Sequence, residues 1–418
     1  MDHAELNNRS NELMTEYLTQ RLNRRAALAL VAGLGLTAGG AVTTVAAPAG
    51  RLQMRLAQGE ATPEAPVQEA DAPPATPELG EQPDGTMTWR VQVGGMSHEE
   101  MIEAMAFFPE EITINAGDRI FFEFLGFHTA TFSGEQEAPP LIIPEGTALG
   151  TPAVEASDGT RYAVNPAAGF PSGPSAHDGT SYLNSGIPDP TMPPFVVEFT
   201  QPGTFEYLCL VHPEYMKARV VVQEQGAERP RDQAAYDQQA AEQLEAIFEQ
   251  GRALIEQYTE EGQATPTADG GTVWEVAAGV GEEQAQVLRF LPDRLQISAG
   301  DTVRWTNHGG TEPHTVTFPG ENAPPELILV EPQPAGPPLL VLNPEVMEPA
   351  GGPSYQGASF ANSGWLQEEV TEFPEGVEFP HIWELTFDAP GEYRYYCALH
   401  GGAEGEELMG MIGTIVVS

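Results

Sequence analysis

The sequence predicts an all-β molecule built from two β-sandwich domains joined by an amphipathic helical linker. Three observations carry this reading. The chain repeats itself at long range, its best-defined segments alternate apolar and polar residues with period two, and one segment between the repeats spaces its apolar residues as a helix does. The length of 418 residues suits two or three domains, and 44 glycines with 38 prolines favour turn-rich β architecture over helical bundles.

The N-terminal segment comes first. Residues 1–25 are polar and end in Arg24-Arg25, and an apolar run of small residues follows from Ala26 to Ala47. This pattern predicts that residues 1–49 form a signal peptide or a membrane anchor. Ala47-Pro48-Ala49 offers a cleavage site before Gly50, while the run is also long enough to span a bilayer. The arginine pair resembles a twin-arginine signal, although Ala27 stands where an aromatic residue is usual. Either outcome implies export, to the periplasm or the outer face of the cytoplasmic membrane. Residues 50–85 are expected to be a disordered tether, because their acidic, proline-rich composition cannot bury a core.

The repeat then defines two domains, 86–224 and 272–418. Phe108-Pro109-Glu110-Glu111-Ile112-Thr113-Ile114-Asn115-Ala116-Gly117-Asp118 aligns without gaps to Leu291-Pro292-Asp293-Arg294-Leu295-Gln296-Ile297-Ser298-Ala299-Gly300-Asp301. His128-Thr129-Ala130-Thr131-Phe132 returns as His314-Thr315-Val316-Thr317-Phe318, and Asn165-Pro166 as Asn343-Pro344. Each unit continues through an Asn-Ser-Gly (Asn184, Asn362) and a Pro-Gly turn to Tyr207-Leu208-Cys209 or Tyr395-Tyr396-Cys397. Phe205, Tyr207 and Cys209 alternate with Thr204, Glu206 and Leu208, which places the aromatics and the cysteine on one inward face of a strand. Ser97-His98-Glu99-Glu100 has the form of a capping box and predicts a short helix there. Between the units, in the linker 225–271, Leu244, Ile247, Phe248, Gly251, Leu254, Ile255 and Tyr258 form one stripe of a helix over 231–261.

Charge bounds the partners. There are 61 acidic against 18 Lys and Arg residues, a formal net charge of −43, and Lys217 is the only lysine. Such a surface repels phosphate backbones, which excludes nucleic-acid binding and is compatible with a basic partner protein.

The chemistry lies in a set of residues that occurs twice. Each unit has one cysteine, a histidine three residues later, a methionine beyond it and a histidine far upstream: His128, Cys209, His212 and Met216, then His314, Cys397, His400 and Met411. One thiolate, two imidazoles and a thioether are the ingredients of a trigonal copper site with a weak axial sulfur. The spacing places the cysteine at the end of one strand, the second histidine in the loop and the methionine at the start of the next strand. Met409 competes with Met411, but Met411 is the one whose following residues match Met216 in register. Two other readings attach to the same residues: a disulfide between Cys209 and Cys397, and copper-free sandwiches in which Cys and His are packing residues. Thr129 and Thr315 are candidates to donate hydrogen bonds around the sulfur, Asn184 and Asn362 to orient a loop, and His308 to contact the site.

With Ala-Gly-Asp ahead of the first histidine, Cys-x2-His, and Met-x-[Gly/Ala]-x-[Val/Ile], both units resemble cupredoxins of the plastocyanin type. The resemblance implies a Greek-key β-sandwich in each unit, one type-1 blue copper per unit, and electron exit through exposed loop histidines, here His212 and His400. It further implies an electron carrier with redox-partner proteins and no substrate pocket. A copper carrier or store is the alternative. A multicopper oxidase or nitrite reductase is disfavoured, because Cys209 is flanked by Leu208 and Leu210, Cys397 by Tyr396 and Ala398, and no His-x-His occurs.

Overall fold

The computed structural model describes residues 76–144, 161–188, 192–259, 264–267, 271–334, 336–404 and 407–418. The expected signal or anchor at 1–49 and most of the expected tether lie outside them. The described end of the tether is not free chain: Gly80–Glu81 pairs antiparallel with Thr88 and Met87. Asp84 closes the intervening turn by accepting from the Thr86 amide and hydroxyl.

The molecule is mostly β-sheet with few helices. One mixed sheet runs through both halves of the chain, in the order Ser354–Tyr355, Ile382–Phe387, Thr302–His308, Thr272–Glu282, Ala285–Leu291, Ile102–Phe108, Met87–Ser97, Arg119–Phe124, Val196–Phe199, Ala176–His177. The seam between the halves is the antiparallel pair Ala285–Leu291 and Ile102–Phe108, where Gln286 stands opposite Glu103. Against the first half lies a five-stranded sheet that includes Gly203–Leu208 and Lys217–Gln223. Its counterpart in the second half includes Gly391–Glu404 and Glu407–Val417.

The core of the first half fills the space between its two sheets: Trp89, Val91, Phe107 and Ile120 from the long sheet meet Phe132, Tyr207 and Val220 from the other. Phe290, Trp305, Phe318 and Tyr395 do the same in the second half. Alternation explains the choice of face, since Tyr207 is buried while Thr204 and Glu206 are exposed. A fourth sheet is built by the long segments between histidine and cysteine. It joins the halves again where Val341 of Leu339–Leu342 faces Ala163 of Tyr162–Val164.

The helix forms as Gln233–Thr259 and lies across the seam. Its residues Leu244, Ile247, Phe248 and Leu254 pack on Ile102, Ala104, Ala106, Val280, Ala285 and Val287. Gly251 is required by that approach, because a Cβ there would meet Ile102 Cγ2 at 2.5 Å.

The helix expected from Ser97-His98-Glu99-Glu100 is absent. Ser97 does donate to Glu100 (3.0 Å), but it does so inside the hairpin turn between Met87–Ser97 and Ile102–Phe108. Met101 is left-handed there (φ 56°), and strand pairing on both sides outweighs the local capping signal.

Candidate metal centres

The Asp of each Ala-Gly-Asp motif anchors the framework. Asp118, buried, accepts from the Trp89 indole (3.0 Å) and from the amides of Met87 (2.8 Å) and Asn115 (3.0 Å), and pairs with Arg229. Asp301 accepts from the Trp274 indole (3.1 Å) and the Thr272 and Ser298 amides. These bonds fix the strands Arg119–Phe124 and Thr302–His308, from whose ends the chain leads to His128 and His314.

In the first half, Cys209 directly follows Gly203–Leu208, His212 lies in the turn, and Met216 directly precedes Lys217–Gln223. The turn is closed by the Cys209 amide donating to the Met216 carbonyl (3.0 Å) and the Met216 amide to the His212 carbonyl (3.0 Å). His128, Cys209 and His212 meet in the interior, their ligating atoms all within 4.8 Å of one another. The Nδ1 atoms of His128 and His212 are 3.2 Å apart. The sulfur accepts from the backbone amides of Thr129 (3.2 Å) and Val211 (3.3 Å).

The second half assembles His314, Cys397 and His400 the same way. Nδ1 of His314 is 3.1 Å from Nδ1 of His400, the sulfur is 3.8 and 3.5 Å from these two nitrogens, and the Thr315 amide donates to it (3.4 Å). Here the expected strand–loop–strand spacing differs. Cys397 and His400 lie inside Gly391–Glu404 and Met411 inside Glu407–Val417, because the longer loop folds back as a hairpin in which Gly401 pairs with Gly410. Met216 and Met411 are buried in the same cores as Cys209 and Cys397, whereas Met409 is only half-buried. Tyr396 pairs with Ile412 as Leu208 pairs with Lys217, so Met411 occupies the register position of Met216.

Neighbouring residues hold this geometry. The threonines act on sulfur through their amides, while their hydroxyls accept from the amides of Leu210 and Ala398 (2.8 Å each). Asn184 donates to the carbonyls of Ala167 and Ala168 and accepts from Thr131, tying the long inserted segment to the histidine strand; Asn362 does the same with Val346 and Thr317. Two glycines wall the upstream histidines, a role their sequence context does not signal. A Cβ on Gly94 would lie 2.3 Å from His128 Nε2, and one on Gly279 2.0 Å from His314 Nε2. His308 is exposed and packs on Tyr258 of the helix instead of the site. Both cysteines are free thiols, each with its own histidine pair, which removes the disulfide reading.

Two carboxylates that the sequence did not flag complete the picture. Glu103 Oε1 lies 3.2 Å from His128 Nε2. Glu312, on the connection 309–313, reaches both loop histidines: Oε2 is 3.1 Å from His212 Nε2 and Oε1 is 2.7 Å from His400 Nε2. The loop histidines therefore do not sit at an exposed end. They face each other across Glu312, His212 being 6% exposed.

Burial works against every charge here, yet the pairing outweighs it. Hydrogen bonds and charge from His128 and His212 hold the Cys209 thiol far below its ordinary range, and His314 and His400 do so for Cys397. Against the same desolvation, Cys209 and Glu312 raise His212, and Cys397 and Glu312 raise His400 to about 10. Glu312 is held well below the usual carboxylate range by its two histidines.

No family model matches the chain. It is 24% identical over 131 residues to plastocyanin of Vicia faba, covering 31% of this chain and 89% of that protein. The same identity holds with the chloroplastic plastocyanin of Pisum sativum, over 52% of its length. Part of the chain is a distant homologue of plastocyanin. Among solved structures, Cu(I) forms of amicyanin variants align over 38% of this chain and 95% of theirs, with 18–19% identity and TM-scores of 0.19.

Proposed function

We propose that the protein is an exported blue-copper electron carrier with one type-1 copper in each half. His128, Cys209, His212 and Met216 would hold the first copper, and His314, Cys397, His400 and Met411 the second. The observation that carries this reading is that the same two histidines and one cysteine converge twice inside the molecule. In each set two Nδ1 atoms and one sulfur point at a common volume, and the sulfur is held by backbone amides. Nitrogen and thiolate donors of this kind suit copper, which supplies a one-electron Cu(I)/Cu(II) couple. The residues do the rest. The thiols are already poised as thiolates, and the Asn-Thr bonds and walling glycines fix the rings before any metal arrives. Two sets built this rigidly favour electron transfer over a store, whose ligands must let copper go. The homology of part of the chain to plastocyanin supports the same reading. The arginine pair at 24–25 supports export, and the acidic surface supports a basic redox partner.

The test is copper content and visible absorption of the copper-loaded protein. The expected result is two coppers per chain with intense thiolate-to-copper absorption. Cys209→Ser should remove the colour of one site and Cys397→Ser that of the other. No copper and no colour would overturn the reading.

A further inference from the structure

The loop histidines of both sites end on one buried carboxylate. We propose that Glu312 is the bridge by which the two sites exchange an electron inside the molecule, with the first site as donor and the second as acceptor. This rests on the two-copper reading above and goes beyond it: the sites act as one relay instead of serving partners independently.

The bridge is short and made entirely of this chain's residues. A metal on Nδ1 leaves each ring with a proton on Nε2, and both Nε2 atoms lie against Glu312. His212 hydrogen-bonds Oε2 at 3.1 Å and His400 ion-pairs with Oε1 at 2.7 Å, so the path between the sites is imidazole, carboxylate, imidazole, with two non-covalent steps. Tunnelling falls steeply with each through-space gap, and hydrogen bonds are the shortest gaps a protein offers. Most of this path is shielded from water, since Glu312, His212, Thr311 and Gln367 are buried and the His400 side chain is 13% exposed. The connection that carries Glu312 is itself fixed: Asn307 donates to the Glu312 carbonyl (2.8 Å) and to that of Leu366 (2.7 Å), and Gln367 donates to the Thr311 carbonyl. Burying a carboxylate here costs free energy that its two histidine partners must offset.

Direction follows from an asymmetry at the seam. Glu103 and Gln286 are directly opposed across the antiparallel pair that joins the halves, and they occupy equivalent places in the sequence repeat. Glu103 sets a carboxylate in ion-pair contact 3.2 Å from His128 Nε2, whereas among the described residues no carboxylate pairs with Nε2 of His314. A carboxylate on the far nitrogen makes a ligating imidazole a stronger donor, which favours the more highly charged metal. The first site therefore holds Cu(II) more strongly and the second holds Cu(I) more strongly. In the step, Cu(I) at the first site loses one electron and becomes Cu(II), and Cu(II) at the second gains it and becomes Cu(I). The protons on both Nε2 atoms stay in place, and no bond breaks.

The experiment uses the full-length protein loaded with two coppers. One electron per chain is delivered by a pulse of reductant, and redistribution of Cu(II) between the sites is followed by absorption and EPR. The signals are assigned with Cys209→Ser and Cys397→Ser. Wild type should settle with Cu(II) at the first site. Glu312→Leu should keep both colours and slow the redistribution by about 10-fold or more, a usual cost of losing a ligand's outer partner. Glu312→Gln offers an amide N–H to one of the two Nε2–H donors, so it should slow the step as well without changing side-chain size. In the Cu(I)-loaded protein, the Nε2 protons of His212 and His400 should give slowly exchanging NMR signals that Glu312→Leu removes. Glu103→Gln should shift the equilibrium toward Cu(II) at the second site. If both colours persist and neither Glu312 variant alters the rate, the bridge is refuted. If the half-reduced wild type keeps Cu(II) at the second site, the direction is refuted. Failure to bind two coppers would instead count against the two-site function itself.

Discussion

On the proposal that the second cluster holds copper, its metal binding should be strongly pH-dependent, and His400 sets the size of the effect. Burial opposes a charge on His400, but the Cys397 thiolate and Glu312 hold its pKa at about 10, above the ordinary 6.5. Cys397 is shifted the opposite way, so in the metal-free protein near neutrality it is already a thiolate. Copper on Nδ1 must then displace one proton from His400 and none from Cys397. The apparent affinity should rise about 10-fold per pH unit below the His400 pKa, or about 100-fold between pH 6 and 8. The same shift stabilises the metal-free fold. Because the pKa is raised on folding, that stability is fully present below 6.5 and is lost as pH climbs to about 10. The assay is competition of Cys209→Ser, in which only the second cluster keeps its thiol, against a chromogenic copper(I) chelator across this range. Calorimetry in buffers of different ionisation enthalpy would count the protons released. An affinity that stays flat across the range, or binding without proton release, would refute the argument.

The other consequences are structural. Gly94→Ala forces a methyl group to 2.3 Å from the His128 ring at a backbone φ of +76°, and Gly279→Ala does so at 2.0 Å from His314 at +83°. The first should bleach only the first site and the second only the second, read as loss of one absorption band with the copper stoichiometry halved. Asp118→Ala strands the buried Trp89 indole and leaves Arg229 without its carboxylate, at a cost of about 3 kcal/mol or more. Asp301→Ala, which among the described residues breaks no arginine pair, should cost about 1–2 kcal/mol. Denaturant unfolding of the metal-free protein would distinguish them, and equal losses would show that the Arg229 pair contributes nothing.

The amino-acid order alone points to the candidate donors and to much of the scaffold. A thiolate, two imidazoles and a thioether are rare enough together that finding them twice in register has chemical meaning. Strand periodicity then dictates which faces carry them: Tyr207 and Cys209 point inward because alternate residues of a strand share a face. The helical stripe was legible for the same reason, as its spacing is a local property. The Ser97 to Glu100 signal was also local, and it gave way to the hairpin because strand pairing on both sides binds more of the backbone. What surrounds the candidate centres follows from contacts between distant segments. Glu312 meets His212 across 100 residues of chain, and Gly94 matters only because a bulged strand passes against the His128 ring. The fate of the loop histidines was settled there too. The resemblance to plastocyanin-type proteins implies loop histidines at the surface, but the seam between Ile102–Phe108 and Ala285–Leu291 turns the two clusters toward each other. Contacts of that kind depend on where distant segments meet, and no periodicity or spacing within a single segment encodes them.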